Sequence, residues 1–269
     1  MMKQILIFVT IFCFFTSNAQ INLDKAIGAA SKGVKAIAFN NDDAIKIAKQ
    51  GIDYMDKNNP VAKASDPYAI RLNKLFSKHS NEDGLKLNFK VYKVSDINAF
   101  ACADGSVRVF SSLMDILTDG ELLAVIGHEI GHVLNQDSKD AMKSAYLRAA
   151  AMEAASSSSG TISTLNDSQL GELTSGILDA SHSRKQESQA DDYSYEFMYA
   201  HKYDVVAGYT AFKKLALLSE GADQKTFQKM FNSHPNSEKR ATNIMKKATK
   251  DGLWKDPGEV VLPKKKLTK

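Results

Sequence analysis

The sequence predicts an α+β domain, mostly helical, with a small and mainly antiparallel sheet. Three observations carry that expectation. Leu87, Phe89 and Val91 alternate with Asn88, Lys90 and Tyr92, the period-two texture of a strand. Asp104-Gly105 separates two short apolar runs, residues 98–103 and 106–110, and reads as a hairpin turn. The stretches on either side keep helical spacings of three and four. The chain has 269 residues, 43% hydrophobic and 25% charged, which is ordinary globular composition with enough length for a sizeable core. That composition argues against wholesale disorder, a fibre or a multi-span membrane protein. Two cysteines are too few for a disulfide-stapled scaffold, and a net charge of +4 is too mild to argue for nucleic acid as a partner.

The elements follow in order. Residues 1–19 read as a signal peptide. Lys3 supplies the positive charge, residues 5–15 an apolar run too short to span a bilayer comfortably, and Ser17-Asn18-Ala19 the small residues a signal peptidase reads. Phe12 precedes Cys13 where a lipid-modified cysteine would follow a small residue. The mature chain then keeps one thiol, Cys102, and closes no internal disulfide. Residues 20–82 form an N-terminal helical segment. Residues 23–38 are its first helix. Asp42 and Asp43 cap a second with the stripe Ile45, Ala48, Ile52 and Met55, which Asn58-Asn59-Pro60 stops. A third opens near Ser65-Asp66-Pro67, with proline in its first turn and the stripe Ile70, Leu72, Leu75 and Phe76. Residues 83–254 form the core segment. After the strands, residues 113–117 are a short helix, and Thr118 with Glu121 has capping-box spacing at the head of an apolar helix through Val133. Residues 141–180 read as two helices split by the serines of 156–159 and Gly160. Helices near 184–199 and 205–218 follow, with a last one after His234-Pro235. Residues 255–269 are a basic, irregular tail. Residues 239–269 hold ten Lys or Arg against three acids, a solvated end whose membrane contact is at most peripheral.

His128-Glu129-Ile130-Gly131-His132 sits inside the apolar helix. Histidines four apart lie on one helix face, so both imidazoles reach one Zn²⁺. Glu129, about 100° round the helix, flanks such an ion and serves as base toward an activated water. Gly131 costs about 1 kcal/mol in a helix interior but admits another element closely. A catalytic zinc takes three protein ligands. No histidine follows at the extended spacing, and Glu187 within residues 183–191 is the candidate third. Asp191, one turn on, would accept the free ring N–H of a ligand histidine.

The pair H-E-I-G-H and S-R-x-x-E-x-x-A-D resembles metallopeptidase family 48, the gluzincins related to the CAAX prenyl protease. Asn98-Ala99-Phe100-Ala101 is similar to the family's Asn-Ala-Phe edge strand, and residues 234–240 to its H-P-x-S-x-x-R. The four motifs cover about residues 87–240. The resemblance implies a zincin-like fold with the sheet beside the metal helix. It also implies a soluble exported branch, similar to periplasmic proteases that police outer-membrane protein assembly. The chain departs from the family at residues 102–105, where a Leu-Pro-Gly-Gly turn is common, and at residues 135–137, where a histidine often stands.

The expectation is therefore a zinc-dependent endopeptidase of the periplasm, soluble after signal cleavage, with one Zn²⁺ per chain. His128, His132 and Glu187 bind the metal and Glu129 is the base. His234, on a loop that Pro235 forces out of helix, either blocks the fourth metal position or donates to the oxyanion. Asp191, Arg184 and Arg240 orient the site. Substrates are polypeptides, including outer-membrane assembly intermediates, laid along Asn98, Ala99 and Phe100 by strand addition. The rival reading is a chaperone-like zinc protein with little or gated proteolysis. His182 reads as a surface or packing residue, His79 and His201 as solvated positions, and Cys102 as a small buried group.

Overall fold

The computed structural model describes residues 39–151, 164–220, 230 and 232–263. The signal peptide, the helix expected over 23–38, the serine-rich break at 156–160 and the last residues of the tail lie outside them.

Helix α1, Asn41–Asn58, starts on Asn40 rather than on the aspartates. Asn40 and Asp43 form a reciprocal capping box, and Asn59 closes the C-terminal end. Its buried face is Ala44, Ile47, Ala48, Ile52 and Met55, while Ile45 of the expected stripe turns outward. Helix α2, Pro67–Phe76, opens on an Asp66 cap with proline at its start. Leu72 and Phe76 are buried and Ile70 is exposed. A 3₁₀ turn, Ser77–His79, leads into the two-stranded hairpin β1, Asn81–Glu82, and β2, Leu85–Lys86.

The main sheet has three strands: β3, Asn88–Tyr92, β4, Ala99–Ala101, and β5, Ser106–Phe110. Its order is β3-β5-β4. The hairpin at Asp104-Gly105 forms as expected, with Gly105 at φ +82° and β4 antiparallel to β5. The pairing of β3 with β5 is parallel, and it is the longest ladder among the described residues. The mainly antiparallel sheet of the sequence reading is thus corrected to a mixed one. Strand β4 runs opposite to β3 but is not its neighbour: after Val94, whose carbonyl accepts from Ser111 and Ser112, the chain crosses to the far edge and leaves the central place to β5.

Both faces of this sheet are covered. Val91, Ala99, Ala101, Val107 and Val109 face a core shared with α2 and the apolar helix α4, Asp119–Leu134. Tyr92, Phe100, Cys102 and Phe110 face a second core with α1 and with α5, Ser138–Ala151, and α6, Asp167–Leu178. Cys102 is buried and free, as read from the sequence. A short α3, Ser111–Ile116, precedes α4. Helices α7, Arg184–Ala200, α8, Val206–Glu220, and α9, Ser237–Lys250, pack against α4 or one another. The α+β, mostly helical class stands. His201 is exposed, but His79 does not stand as a solvated position: it is 0% exposed.

Candidate active site

Helix α4 is apolar around its whole circumference, the pattern of a helix buried on all sides. Full burial of residues such as Leu122, Ile126 and Ile130 stabilises it by ~1.5–3 kcal/mol each. The Thr118 capping box fixes its start, with Glu121 Oε2 accepting from the Thr118 N–H at 2.7 Å. In that surrounding His128, Glu129 and His132 are buried polar groups, which need partners.

Two glycines bring the partners in. A Cβ on Gly131 would meet the Ala190 Cα and the Tyr193 Cβ at 3.1 Å, and one on Gly127 would meet Phe197 Cδ1 at 3.0 Å. Their absence lets α7 lie against α4 and carries Glu187 to the histidines. The His128 and His132 Nε2 atoms are 3.0 Å apart. Glu187 Oε1 lies 3.2 Å from His132 Nε2, and Oε2 3.7 Å from His128 Nε2. His234 Nδ1 joins them, 3.2 Å from His128 Nε2 and 3.0 Å from Glu187 Oε1.

This donor set fits a metal ion. Nitrogen and oxygen ligands ~2.0–2.1 Å from a tetrahedral centre stand about 3.3 Å from one another. Four buried groups offer ligand atoms here that all lie within 4.8 Å of each other. Two buried carboxylate oxygens, Glu129 Oε1 and Glu187 Oε2, accept no hydrogen bond. Arg240 Nη1 stands 2.8 Å from Glu187 Oε2 as an ion pair but off the hydrogen-bond axis. Three imidazoles and a carboxylate are the ligand types zinc takes.

The surroundings set the charges. Burial pushes His128 well below the ordinary imidazole range, helped by the Arg240 charge, and so disfavours a protonated ring. Burial also lowers His132, but its hydrogen bond to Glu187 and the nearby carboxylates outweigh that and raise it. For Glu187 burial opposes ionisation, while hydrogen bonds with His132 and His234 and the Arg240 charge hold it well below the usual range. Burial pushes Glu129 up.

Asp191 Oδ1 lies 2.9 Å from His128 Nδ1, the outward ring nitrogen. Arg240, stacked on the Phe212 ring at 3.9 Å, places Nη2 2.6 Å from that same oxygen. Arg184 does not join the group. As the first residue of α7 its side chain is exposed, in keeping with a helical Cβ tilted toward the N-terminus, and Arg240 takes the place beside Glu187. Asn98 is buried with its Oδ1 accepting from the Ala99 N–H at 2.9 Å, so its side chain closes a local turn.

Two residues escaped the sequence reading. Asp137 Oδ2 stands 2.8 Å from His132 Nδ1. Gln136 at φ +59° folds the chain back past the helix end, and no periodicity marks that reversal. His182, read as surface or packing, stacks on His132 with centroids 3.8 Å apart and planes at 15°. Burial pulls its pKa down to about 3.

A small, partly open cleft leads to this group. Residues of β4 form one wall, Glu129, His132 and His234 the floor, and Met142 of α5 with Ile177 and Leu178 of α6 the opposite side. Among the described residues β4 pairs on one side only, so its outer edge is free toward the cleft.

A model of Peptidase family M48 matches residues 71–248. Metalloprotease YcaL of Escherichia coli (strain K12) is 40% identical over 225 residues, covering 83% of this chain and 87% of that protein. Metalloprotease LoiP of the same organism is 33% identical over 252 residues, 93% and 98% of the two chains. The matched span runs from α2 through the buried histidine pair to α9, and the chain accordingly belongs to peptidase family M48, as a metalloendopeptidase.

Proposed function

We propose that the chain is a zinc endopeptidase of exported polypeptides, with His128, His132 and Glu187 as metal ligands and Glu129 as general base. The observation that carries this reading is Glu129 Oε1. It is a buried carboxylate oxygen without a hydrogen-bond partner, on the cleft floor beside the metal-ligand group. Bound zinc supplies Lewis acidity, polarising the scissile carbonyl and making water acidic enough to lose a proton near neutral pH. Burial raises the proton affinity of Glu129, which suits a group that accepts a proton and passes it on. It accepts the proton of the attacking water and delivers it to the leaving amine.

The free edge of β4 suits an extended substrate added as a strand along the backbone of Ala99 and Phe100, with Asn98 shaping the turn before them. Such pairing reads backbone more than side chains. That favours unfolded or unassembled envelope proteins as clients, outer-membrane assembly intermediates among them. A cleaved signal at residues 1–19 would export the enzyme to the periplasm. No helix among the described residues is long and apolar enough to cross a membrane.

Glu129→Gln tests the reading. The variant keeps its metal and its fold and loses casein cleavage by a factor of 10² or more. Near-wild-type proteolysis by that variant would remove Glu129 from the role and favour a non-proteolytic binding protein.

A further inference from the structure

A second cluster of ligand-type side chains, buried at His79 and Glu82 and open at His201, stands apart from the cleft. His79 ends the 3₁₀ turn after α2, Glu82 lies on β1, and His201 caps the C-terminal end of α7. His79 Nδ1 is 2.5 Å from Glu82 Oε1, and His201 Nε2 is 3.2 Å from Glu82 Oε2. The two rings meet edge to face, centroids 4.5 Å apart and planes at 85°. His128 and His132 adopt the same arrangement, at 4.5 Å and 86°.

The far side of His79 is tied down. Its Nε2 stands 2.7 Å from the Tyr203 hydroxyl. Without metal, Nδ1–H donates to Glu82 and Nε2 accepts from the Tyr203 hydroxyl; metal binding would release the Nδ1 proton and leave Nε2–H donating to the Tyr203 oxygen, so that Nδ1 presents its lone pair to the ion. Metal-bound histidines are held in this way, one ring nitrogen on the ion and the other fixed by an outer partner. Among the described residues no lysine or arginine pairs with Glu82. Lys78, the nearest candidate in sequence, stands over the Tyr203 ring at 4.7 Å instead. Burial disfavours protonation of His79, so a buried carboxylate sits between two imidazoles without a fixed positive charge.

We propose that His79, Glu82 and His201 form a second metal site, which takes one transition-metal dication of the zinc, nickel or copper type. Two imidazoles and a carboxylate suit those ions, and the three groups present ligand atoms within 4.8 Å of one another. His201 is about a third exposed, which gives the ion an entry path and leaves room for water to complete its shell. The site joins the turn after α2 to the far end of α7, the helix that carries Glu187 at its other end. Binding there stabilises the folded chain, because the unfolded chain does not hold the three ligands together.

Metal analysis of the full chain, stripped with chelator and titrated with Zn²⁺, tests the site separately from the catalytic one. Two equivalents are expected in the wild type, one in His128→Ala/His132→Ala, one in His201→Ala, and none in the triple variant. In His128→Ala/His132→Ala, zinc at a hundredfold excess over its Kd should raise Tm by ~5–10 °C, and adding His201→Ala should abolish the rise. One equivalent in the wild type that vanishes in His128→Ala/His132→Ala overturns the second site and leaves the catalytic reading intact. One that survives there and vanishes with His201→Ala upholds the second site and sinks the catalytic metal. A count unchanged by His201→Ala overturns the proposal. Should His128→Ala/His132→Ala fail to fold, the same comparison is made in Glu129→Gln, where His201→Ala should lower the count from two to one.

Discussion

Asp137 and His234 sit on opposite sides of the candidate metal ligands, and their removal should act in opposite directions. Asp137 lies 2.8 Å from His132 Nδ1 and so orients the ring that presents Nε2 to the other donors. Asp137→Ala should weaken zinc affinity by ~10–100-fold, read by competition with a chelator. Unchanged affinity would reduce Asp137 to a cap on the end of α4. His234 instead points its Nδ1 among the ligand atoms and holds its Nε2 3.5 Å from Glu129 Oε1. A ring in that position competes with water for the fourth place. His234→Ala should therefore cleave faster and bind active-site inhibitors more tightly. A fall in kcat at constant zinc content would assign the ring to the oxyanion instead, a role worth ~10²–10³ in rate. At this scale the sequence is legible where spacing along one helix decides contact: residues 128, 129 and 132 on α4, and 187 with 191 on α7. It is silent where the chain must reverse, as at Gln136, or where three distant segments meet, as at His79, Glu82 and His201.

Helix α4 and helix α7 form one device, and glycine spacing sets how closely they approach. The Thr118 capping box, the apolar circumference and the Gly105 turn are all local signals, and each is read correctly from the residues. The parallel pairing of β3 with β5 is not local. It depends on where the chain crosses after Val94, which no alternation of apolar residues records. The hairpin of β1 and β2 did carry a signal, Asp83-Gly84 with both residues at positive φ, in a stretch too short to show alternation. The α4–α7 contact is testable through Gly131. A Cβ there would stand 3.1 Å from the Ala190 Cα and 3.2 Å from its carbonyl oxygen, and backbone cannot rotate away. Gly131→Ala improves helix propensity by about 1 kcal/mol yet should lose ~1–3 kcal/mol of stability overall through overpacking. Zinc retention should fall with it, because α7 carries Glu187 away as it shifts. A variant that gains stability in urea unfolding would show that the helices have room to spare.

Across the whole molecule, α1 is tied to the centre of the sheet by a buried ion cluster, and acid should release it. Arg108 on β5 is 1% exposed and reaches Asp56 on α1 through Nε at 2.8 Å and Nη2 at 2.9 Å. Lys90 and the Tyr92 hydroxyl add bonds to the same carboxylate, each at 2.7 Å. Burial opposes ionisation of Asp56, but these hydrogen bonds, Arg108's above all, outweigh it and bring its pKa from 3.8 down to about 2. The folded value lies below the unfolded one. The cluster therefore contributes fully above pH ~4, and its contribution is lost as pH falls through 4 toward 2. Asp56→Asn keeps the shape and removes the charge, leaving Arg108 buried without its counter-ion. At pH 7 the cost should be on the order of 3 kcal/mol, at the low end for a broken buried pair because the Asp56 side chain keeps 17% of its exposure. The difference between wild type and variant should then shrink as both are titrated from pH 4 to 2.5 in urea unfolding. A difference that stays constant over that range would mean that Asp56 is not the group through which acid loosens α1 from the sheet.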